Sequence, residues 1–272
     1  MTVLYILLCI VVILFAAFVF LIKPSCRRYE MPCDMFAHRG LHNAKIIPEN
    51  SKAAFENARA HGCGVELDVQ YTKDKKLVVF HDGNIKRVCG VDKNVSELTY
   101  EELLTYPLYN TQERVPLFSE VLEIMGGLPV ICEIKTSYNK PDEEVCREVA
   151  LMLDGYGGKM MIESFNPLVI GWFKKHRPDI IRGQLAFDET ENQSALNLLA
   201  TFALEHLMVN CISRPDFIAY RYTDDCFGYK LCRKLFKPVC IAWTPRGNAE
   251  IEKAKRDYKY IIYEQHEVKT EL

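Results

Sequence analysis

Residues 64–70 read Gly64-Val65-Glu66-Leu67-Asp68-Val69-Gln70. Side chains alternate across a strand, so Val65, Leu67 and Val69 share one face and Glu66 and Asp68 the other. The apolar face can pack outward under helices while the two carboxylates point into a barrel. Their Cα atoms would lie about 7 Å apart. Facing a protein interior, they repel and desolvate each other unless a cation lies between them. The same alternation recurs at Ile131-Cys132-Glu133-Ile134-Lys135, where Glu133 and Lys135 share a face.

Outward from this stretch the chain alternates strands and amphipathic helices. Strand candidates are 35–38, 64–70, 77–81, 129–135, 160–164, 181–187, 207–212, 239–243 and 259–263. Helix-length periodic segments lie at 50–61, 116–126, 142–154, 167–176, 191–205, 225–236 and 248–257. Repeated alternation predicts a largely parallel sheet with helices outside it. The connection Thr72–Lys76 is too short for a crossover helix, so 77–81 returns as a hairpin beside 64–70. Removing that strand leaves eight, the number of a (β/α)8 barrel. A hairpin turning on Asp74-Lys75 would set His81 opposite Asp68.

The chain has 272 residues, with 34 basic and 36 acidic side chains, a net charge of −2 and 49% hydrophobic residues. This excludes a disordered tail and a small disulfide scaffold. A chain so nearly neutral lacks the basic stripe of a nucleic-acid binder, and no nucleic-acid partner is expected. Eleven cysteines include no C-x-x-C pair. Their odd number and their place in apolar runs (Cys63, Cys132, Cys211, Cys240) suit free thiols in a reducing compartment.

The exception to this soluble composition is Val3–Ile22, twenty residues without charge, proline or glycine. At about 1.5 Å per residue they span roughly 30 Å, the thickness of a bilayer's hydrocarbon. A cleaved signal peptide would carry a basic start, a shorter apolar run and a small-x-small cleavage site, none of which is present. The expected organisation is therefore an anchor at 3–22, a linker at 23–33 with Pro24 and Pro32, and a barrel domain at 34–272. Lys23, Arg27 and Arg28 follow the apolar run. The positive-inside rule then places the barrel in the cytoplasm of a single-pass cell-membrane protein.

His38 ends the first strand in Phe36-Ala37-His38-Arg39-Gly40, and His81 ends the returning one in Val78-Val79-Phe80-His81-Asp82. Two imidazoles near one cation could serve as general base and general acid around neutral pH. Glu66, Asp68 and Glu133 offer hard oxygen ligands of the kind Mg²⁺ or Ca²⁺ takes. The same carboxylates also suit a buried ion-pair network with no metal.

The ordered set His38-Arg39-Gly40, Pro48-Glu49-Asn50-Ser51 with Ala54-Phe55, Glu66-Leu67-Asp68-Val69, Thr72-Lys73-Asp74, His81-Asp82 and Glu133-Ile134-Lys135 resembles the glycerophosphodiester phosphodiesterase family. The strong motifs cover about residues 35–135, with weaker similarity at Glu163-Ser164-Phe165-Asn166 and Ala242-Trp243-Thr244. The resemblance implies a distorted TIM barrel. It implies a divalent cation on Glu66, Asp68 and Glu133, and His38 and His81 as the acid/base pair. Arg39 and Lys135 would contact the phosphate, Trp243 the substrate, and Glu49 would support the metal or a histidine from behind. The implied reaction is hydrolysis of a glycerophosphodiester to glycerol 3-phosphate and an alcohol. A lysophospholipid cleaved at the bilayer surface, or a non-catalytic membrane-tethered binding protein, are the competing readings. Two departures lie on the far half of the barrel. The last strand ends Tyr263-Glu264 where the family usually has Thr-Asp, and Pro245-Arg246-Gly247 follows Trp243-Thr244.

Overall fold

The computed structural model describes the chain except residues 26, 28, 44–45, 137–141, 187–197 and 265–272. Cys26, Arg28, the first part of the 191–205 helix expectation and the end of the 34–272 domain lie outside the described residues.

Eight parallel strands close into a barrel: β1 (Met35–His38), β2 (Gly64–Tyr71), β4 (Val130–Ile134), β5 (Met160–Ser164), β6 (Arg182–Ala186), β7 (Phe217–Arg221), β8 (Val239–Arg246) and β9 (Tyr260–Glu264). β1 closes the ring by pairing with both β2 and β9. A short β3 (Leu77–Val79) runs antiparallel to the upper part of β2. The alternation of β2 is realised as read. Val65, Leu67 and Val69 join the layer beneath the helices with Phe55 and Phe118, while Glu66 and Asp68 are buried inside.

The helices that cover the barrel start where their caps dictate. Ser51 caps α2 (Lys52–Ala60) through its hydroxyl, accepting from the Ala54 amide. Asp142 caps α6 (Glu143–Gly155), and Asn166 caps α7 (Pro167–His176), whose first residue is a proline that has no amide to satisfy. α5 (Phe118–Met125), α8 (Leu198–Glu205), α9 (Asn210–Ser213), α10 (Phe227–Phe236) and α11 (Gly247–Ala254) complete the outer layer. α1 (Thr2–Ile22) stands largely free of it, with only Ile22 buried.

Inside the barrel, the end from which the strands start is filled by Phe36, Ile131, Met161, Phe217, Ile241 and Tyr260. Met31 of the linker closes that base, with Tyr29 and Cys33 packed beside it. The opposite, C-terminal end of the strands carries the buried charged side chains and forms the mouth, where βα loops build active sites. Between β3 and α5 lies an insertion with α3 (Lys86–Cys89), α4 (Tyr100–Leu103) and two 3₁₀ turns, folded over its own apolar cluster of Val78, Phe80, Ile85, Val88, Leu98 and Leu103. The sequence pattern predicts no element there.

Two expectations are corrected. The segment 207–212 is a turn followed by α9, not a strand, and β7 lies ten residues later. Leu207-Met208-Val209 is apolar enough for a strand, but Asn210 is buried and its side chain caps the carbonyl of Ile22 instead. The β2–β3 hairpin is one residue out of the expected register. Its turn closes between Thr72 and Lys76, with Lys75 at φ +59°, so Val69 pairs with Val79 and the Phe80 amide bonds the Asp68 carbonyl. A one-residue slip exchanges faces. His81 nevertheless reaches the mouth because β3 ends at Val79 and the chain bends into the insertion.

Candidate active site

Neighbouring strands place the acids side by side. His38 is in register with Glu66, Asp68 with Glu133, and Glu133 with Glu163. Carboxylate oxygens of Glu66, Asp68 and Glu133 lie within 4.8 Å of one another, and all three residues are buried. Burial pushes the Glu66 carboxyl well above the usual range, and Asp68, Glu163 and Glu133 push it the same way. Asp68 goes in the opposite direction. Burial raises it too, but the charges of Lys135, His81 and Arg39 outweigh that and hold it well below. Two neighbours with opposed protonation tendencies are what crowding of negative charge produces. Hard oxygen donors this close fit a divalent cation of the Mg²⁺ or Ca²⁺ kind, so the residues present suit the metal that the family resemblance implies. Lys135 neutralises part of the cluster, its Nζ 3.1 Å from Asp68 and 2.8 Å from Glu133.

Two histidines face this cluster, and each is held from behind by a carboxylate. His38 Nδ1 is 2.8 Å from Glu264 Oε1, which leaves Nε2 on the cavity side, 3.8 Å from Glu66. His81 Nδ1 is 2.6 Å from Asp82 Oδ1. An ionised carboxylate only accepts hydrogen bonds, so the proton sits on Nδ1 and Nε2 is presented to the cavity. Burial pulls the His38 imidazole down to about 4 although the Glu264 hydrogen bond opposes it. Glu264, raised by burial but bonded by His38 and facing Arg246, is held at about 2.

Arg39 leaves β1 at φ +55° and Gly40 follows at +80°, where a Cβ would come within 2.9 Å of the Ala54 side chain. This turn aims the Arg39 guanidinium at Glu49, 2.7 Å away, with its Nε 3.6 Å from Asp68. Glu49 is also bonded by Arg87 and by the Tyr109 hydroxyl. Arg87 in turn bonds Asp82 at 2.7 Å, so a chain of charge runs from Arg39 through Glu49 to the carboxylate that holds His81. Asn50 donates to Asp68 at 2.9 Å.

The cavity over these groups has a volume of about 380 Å³. One side presents His38, Arg39, Glu66, His81, Glu133 and Lys135. The other side is formed by Phe165, Leu185, Trp243 and Ile262, with the Phe165 and Trp243 rings edge-to-face at 5.9 Å. Of the residues expected from sequence, eight line this cavity or, for Asp68, its floor. The ninth, Glu49, stands behind Arg39.

A match to the glycerophosphoryl diester phosphodiesterase family covers residues 38–218, two thirds of the chain. The chain belongs to that family. The glycerophosphodiester phosphodiesterase of Caldanaerobacter subterraneus subsp. tengcongensis is 33% identical over 163 residues, 56% of this chain and 65% of that protein. Lysophospholipase D GDPD1 of Rattus norvegicus is 38% identical over 116 residues, 38% of this chain and 36% of that one. The matched regions thus span just under two thirds, or less, of these relatives. Among solved structures, the glycerophosphodiester phosphodiesterase of Thermotoga maritima shares the fold at a TM-score of 0.64 and 24% identity, over 86% of this chain and 96% of that one. An Oleispira antarctica phosphodiesterase in complex with its product sn-glycerol-3-phosphate superposes at 0.66 and 21% identity, over 85% and 92%.

Within this phosphodiesterase-family site, sequence reading missed Glu163, Glu264, Asp82, Arg87 and, of the apolar wall, all but Trp243. Glu163 and Glu264 each carried a signal, an acid set within an otherwise apolar strand, as in Met160-Met161-Ile162-Glu163 and Ile261-Ile262-Tyr263-Glu264. The two departures from the family pattern meet: Arg246 Nε lies 2.8 Å from Glu264 Oε2.

Proposed function

We propose that this chain hydrolyses glycerophosphodiesters to glycerol 3-phosphate and an alcohol, with a divalent cation on Glu66, Asp68 and Glu133. The observation that carries the reading is the buried carboxylate triad flanked by two histidines, each with Nδ1 on its own carboxylate and Nε2 turned to one cavity. A bound cation would offset charge on the phosphoryl oxygens. Arg39 and Lys135 add two positive side chains at the same edge, suited to a phosphodiester anion. One histidine takes the proton of the attacking hydroxyl as its oxygen bonds to phosphorus. The other gives a proton to the departing alcohol oxygen as the old P–O bond breaks. An attacking water gives glycerol 3-phosphate directly, and an attacking glycerol hydroxyl gives a cyclic phosphate that a water then opens with the histidine roles exchanged, so one water is consumed either way. Glu264 and Asp82 keep both rings oriented, with Nε2 of each toward the substrate.

The apolar wall supports a second substrate class. Phe165, Leu185, Trp243 and Ile262 offer nothing to a small polar headgroup, but suit the glycerol end of a lysophospholipid with its acyl chain. Together with α1 as a single membrane span, this describes an anchored enzyme able to act at a bilayer surface. Lys23 and Arg27 after α1 and the free thiols support a cytoplasmic barrel in the cell membrane. All ten described cysteines are unpaired. The test is choline release by the full chain in detergent, from glycerophosphocholine and from lysophosphatidylcholine, with Mg²⁺ or Ca²⁺ and then with chelator. No release from either substrate with either metal ends the proposal, and full turnover after chelation removes the metal from it. Trp243→Ala should raise KM for the lysolipid about tenfold, the scale of losing part of a buried aromatic contact, with a smaller change for glycerophosphocholine.

A further inference from the structure

The position of α1 on the barrel fixes which way the mouth looks. α10 follows β7, so Phe227 lies at the mouth end of that helix and Phe236 at the base. The Phe18 ring stacks on Phe227 at 5.8 Å, and four residues later the Ile22 carbonyl meets the thiol of Cys232. α1 therefore runs beside α10 in the same direction, from mouth to base. Beyond it the chain continues downward, where the Ser25 amide bonds the Pro215 carbonyl and the Ser25 hydroxyl bonds Asp216 just before β7 begins. Residues 2–17 must then rise past the mouth, and the large side chains from Val3 to Phe15 are exposed there.

Those sixteen residues reach about 24 Å at 1.5 Å per residue, short of the roughly 30 Å of hydrocarbon by one helical turn. The missing depth falls at the level of Phe18–Ile22, where α1 touches the barrel's shoulder. On its α8–α10 side that shoulder is apolar, while Arg214 bonds the Phe20 carbonyl and sits 4.6 Å over the Phe20 ring, a cation placed at headgroup level. Leu198 and Leu199 of α8 are each 77% exposed, and Phe202 and Phe227 are half exposed. The end of α8 is fastened to the mouth end of α10: the Cys226 thiol bonds the Glu205 carbonyl, and Gly228 packs directly on His206. Phe202 stacks on that His206 ring at 4.0 Å. Apolar side chains thus link α1 through Phe227 to α8, with the exposed Asp225–Lys230 ion pair at the edge of the same helix end. A depth of about 6 Å is the depth at which interfacial apolar elements seat.

We infer that α8 and the mouth end of α10 form a membrane-seating face continuous with α1, so that the catalytic mouth opens onto the bilayer and takes a lysophospholipid from it. The inference rests on the phosphodiesterase and anchor readings above and adds the direction of approach. The apolar wall of the cavity belongs to β5, β6, β8 and β9, on the side where α8 and α10 stand, so an acyl chain would lead from the wall toward the lipid.

The test uses the full chain in phosphatidylcholine–phosphatidylglycerol vesicles containing lysophosphatidylcholine. In a Trp172→Phe, Trp243→Phe background, tryptophan fluorescence of Phe202→Trp should be quenched by brominated lipid at least twice as strongly as that of Leu151→Trp, an exposed position on α6. The double variant Leu198→Glu, Phe202→Glu should lose tenfold or more of choline release from vesicle lysolipid and stay within twofold of the native chain on soluble glycerophosphocholine. Equal quenching at 202 and 151, or undiminished vesicle turnover in the double variant, overturns the seating face. A native chain active on glycerophosphocholine with equal quenching at both positions removes only this inference. A native chain that hydrolyses neither substrate removes the phosphodiesterase reading, and one that does not sediment with vesicles removes the anchor.

Discussion

The two halves of the barrel mouth are built on different physics. Strands β1, β2 and β4 with the insertion supply a dense net of charge, in which Arg39 and Arg87 bond Glu49, Lys135 bonds Asp68 and Glu133, and Glu66 accepts from the Arg39 amide. Strands β5, β6, β8 and β9 supply rings and aliphatic groups, relieved by Glu163, Arg246 and Glu264. On the proposed reading the first half would hold the cation and the phosphate, while the second, apart from Glu264 behind His38, would shape what is attached to the phosphate. Variants in the two halves should then fail in different ways.

The largest effect is expected in the charged half. Glu66→Gln or Asp68→Asn should lower kcat at least about 10³-fold, the several kcal/mol that metal ligation contributes to charge stabilisation. The same Glu66→Gln protein, freed of metal, should melt no lower than the native chain, because burial and like charges already disfavour the ionised Glu66. Calorimetry beside the assay separates the two outcomes. A variant that loses activity and also melts far lower would make the triad a structural ion-pair network.

Next in size are the histidines. His38→Ala and His81→Ala should each cost about 10²-fold or more. A substrate with a good leaving group should rescue one of the two variants and not the other. Equal losses across leaving groups would deny the rings distinct proton-transfer roles.

This contrast between halves also decided what could be read in the sequence. On the charged side, strict alternation in β2 and β4 and a closely spaced set of motifs place Glu66, Asp68, Glu133, His38 and Lys135 without any coordinates. The far side offers no such spacing. β7 was misplaced because Leu207-Met208-Val209 is as apolar as Phe217-Ile218-Ala219, and only tertiary contacts with α1 distinguish them. Asp82 and Arg87 were invisible as partners because their meeting depends on the insertion's own cluster, whose short helices carry no long period. Glu264 was noted only as a departure, since its strand neighbour β1 is the far end of the chain in sequence.

Glu264 should therefore show a middle-sized effect that crosses between the halves. Glu264→Gln keeps the volume and can still accept from His38 Nδ1, but loses the charge that favours an imidazolium. A drop in kcat of about tenfold with KM nearly unchanged is expected, the size seen for carboxylates that orient a functional histidine. Arg246→Met should do less, since Arg246 is mostly exposed and meets Glu264 at its outer oxygen, away from His38. A KM rise without change in kcat for Glu264→Gln would assign it to substrate contact instead.

The smallest effect belongs to Glu49, the hub behind the charged half. Burial pushes its carboxyl up, but hydrogen bonds and charge from Arg87 and Arg39 outweigh that and hold it at about 2, below the ordinary 4.5. A carboxylate depressed on folding contributes stability that is fully present above its unfolded value and lost as pH falls through the folded one. Glu49→Gln lacks the charge, so it should melt a few degrees below the native chain at pH 6–7. From about pH 4.5 downward the native chain gives up its advantage, and the two melting curves should converge toward pH 2. Melting temperatures of both proteins from pH 7 to 3 check this. A gap that stays constant throughout would mean that Glu49 contributes packing and hydrogen bonds rather than charge, and that Arg39 and Arg87 are held by Asp68 and Asp82 alone.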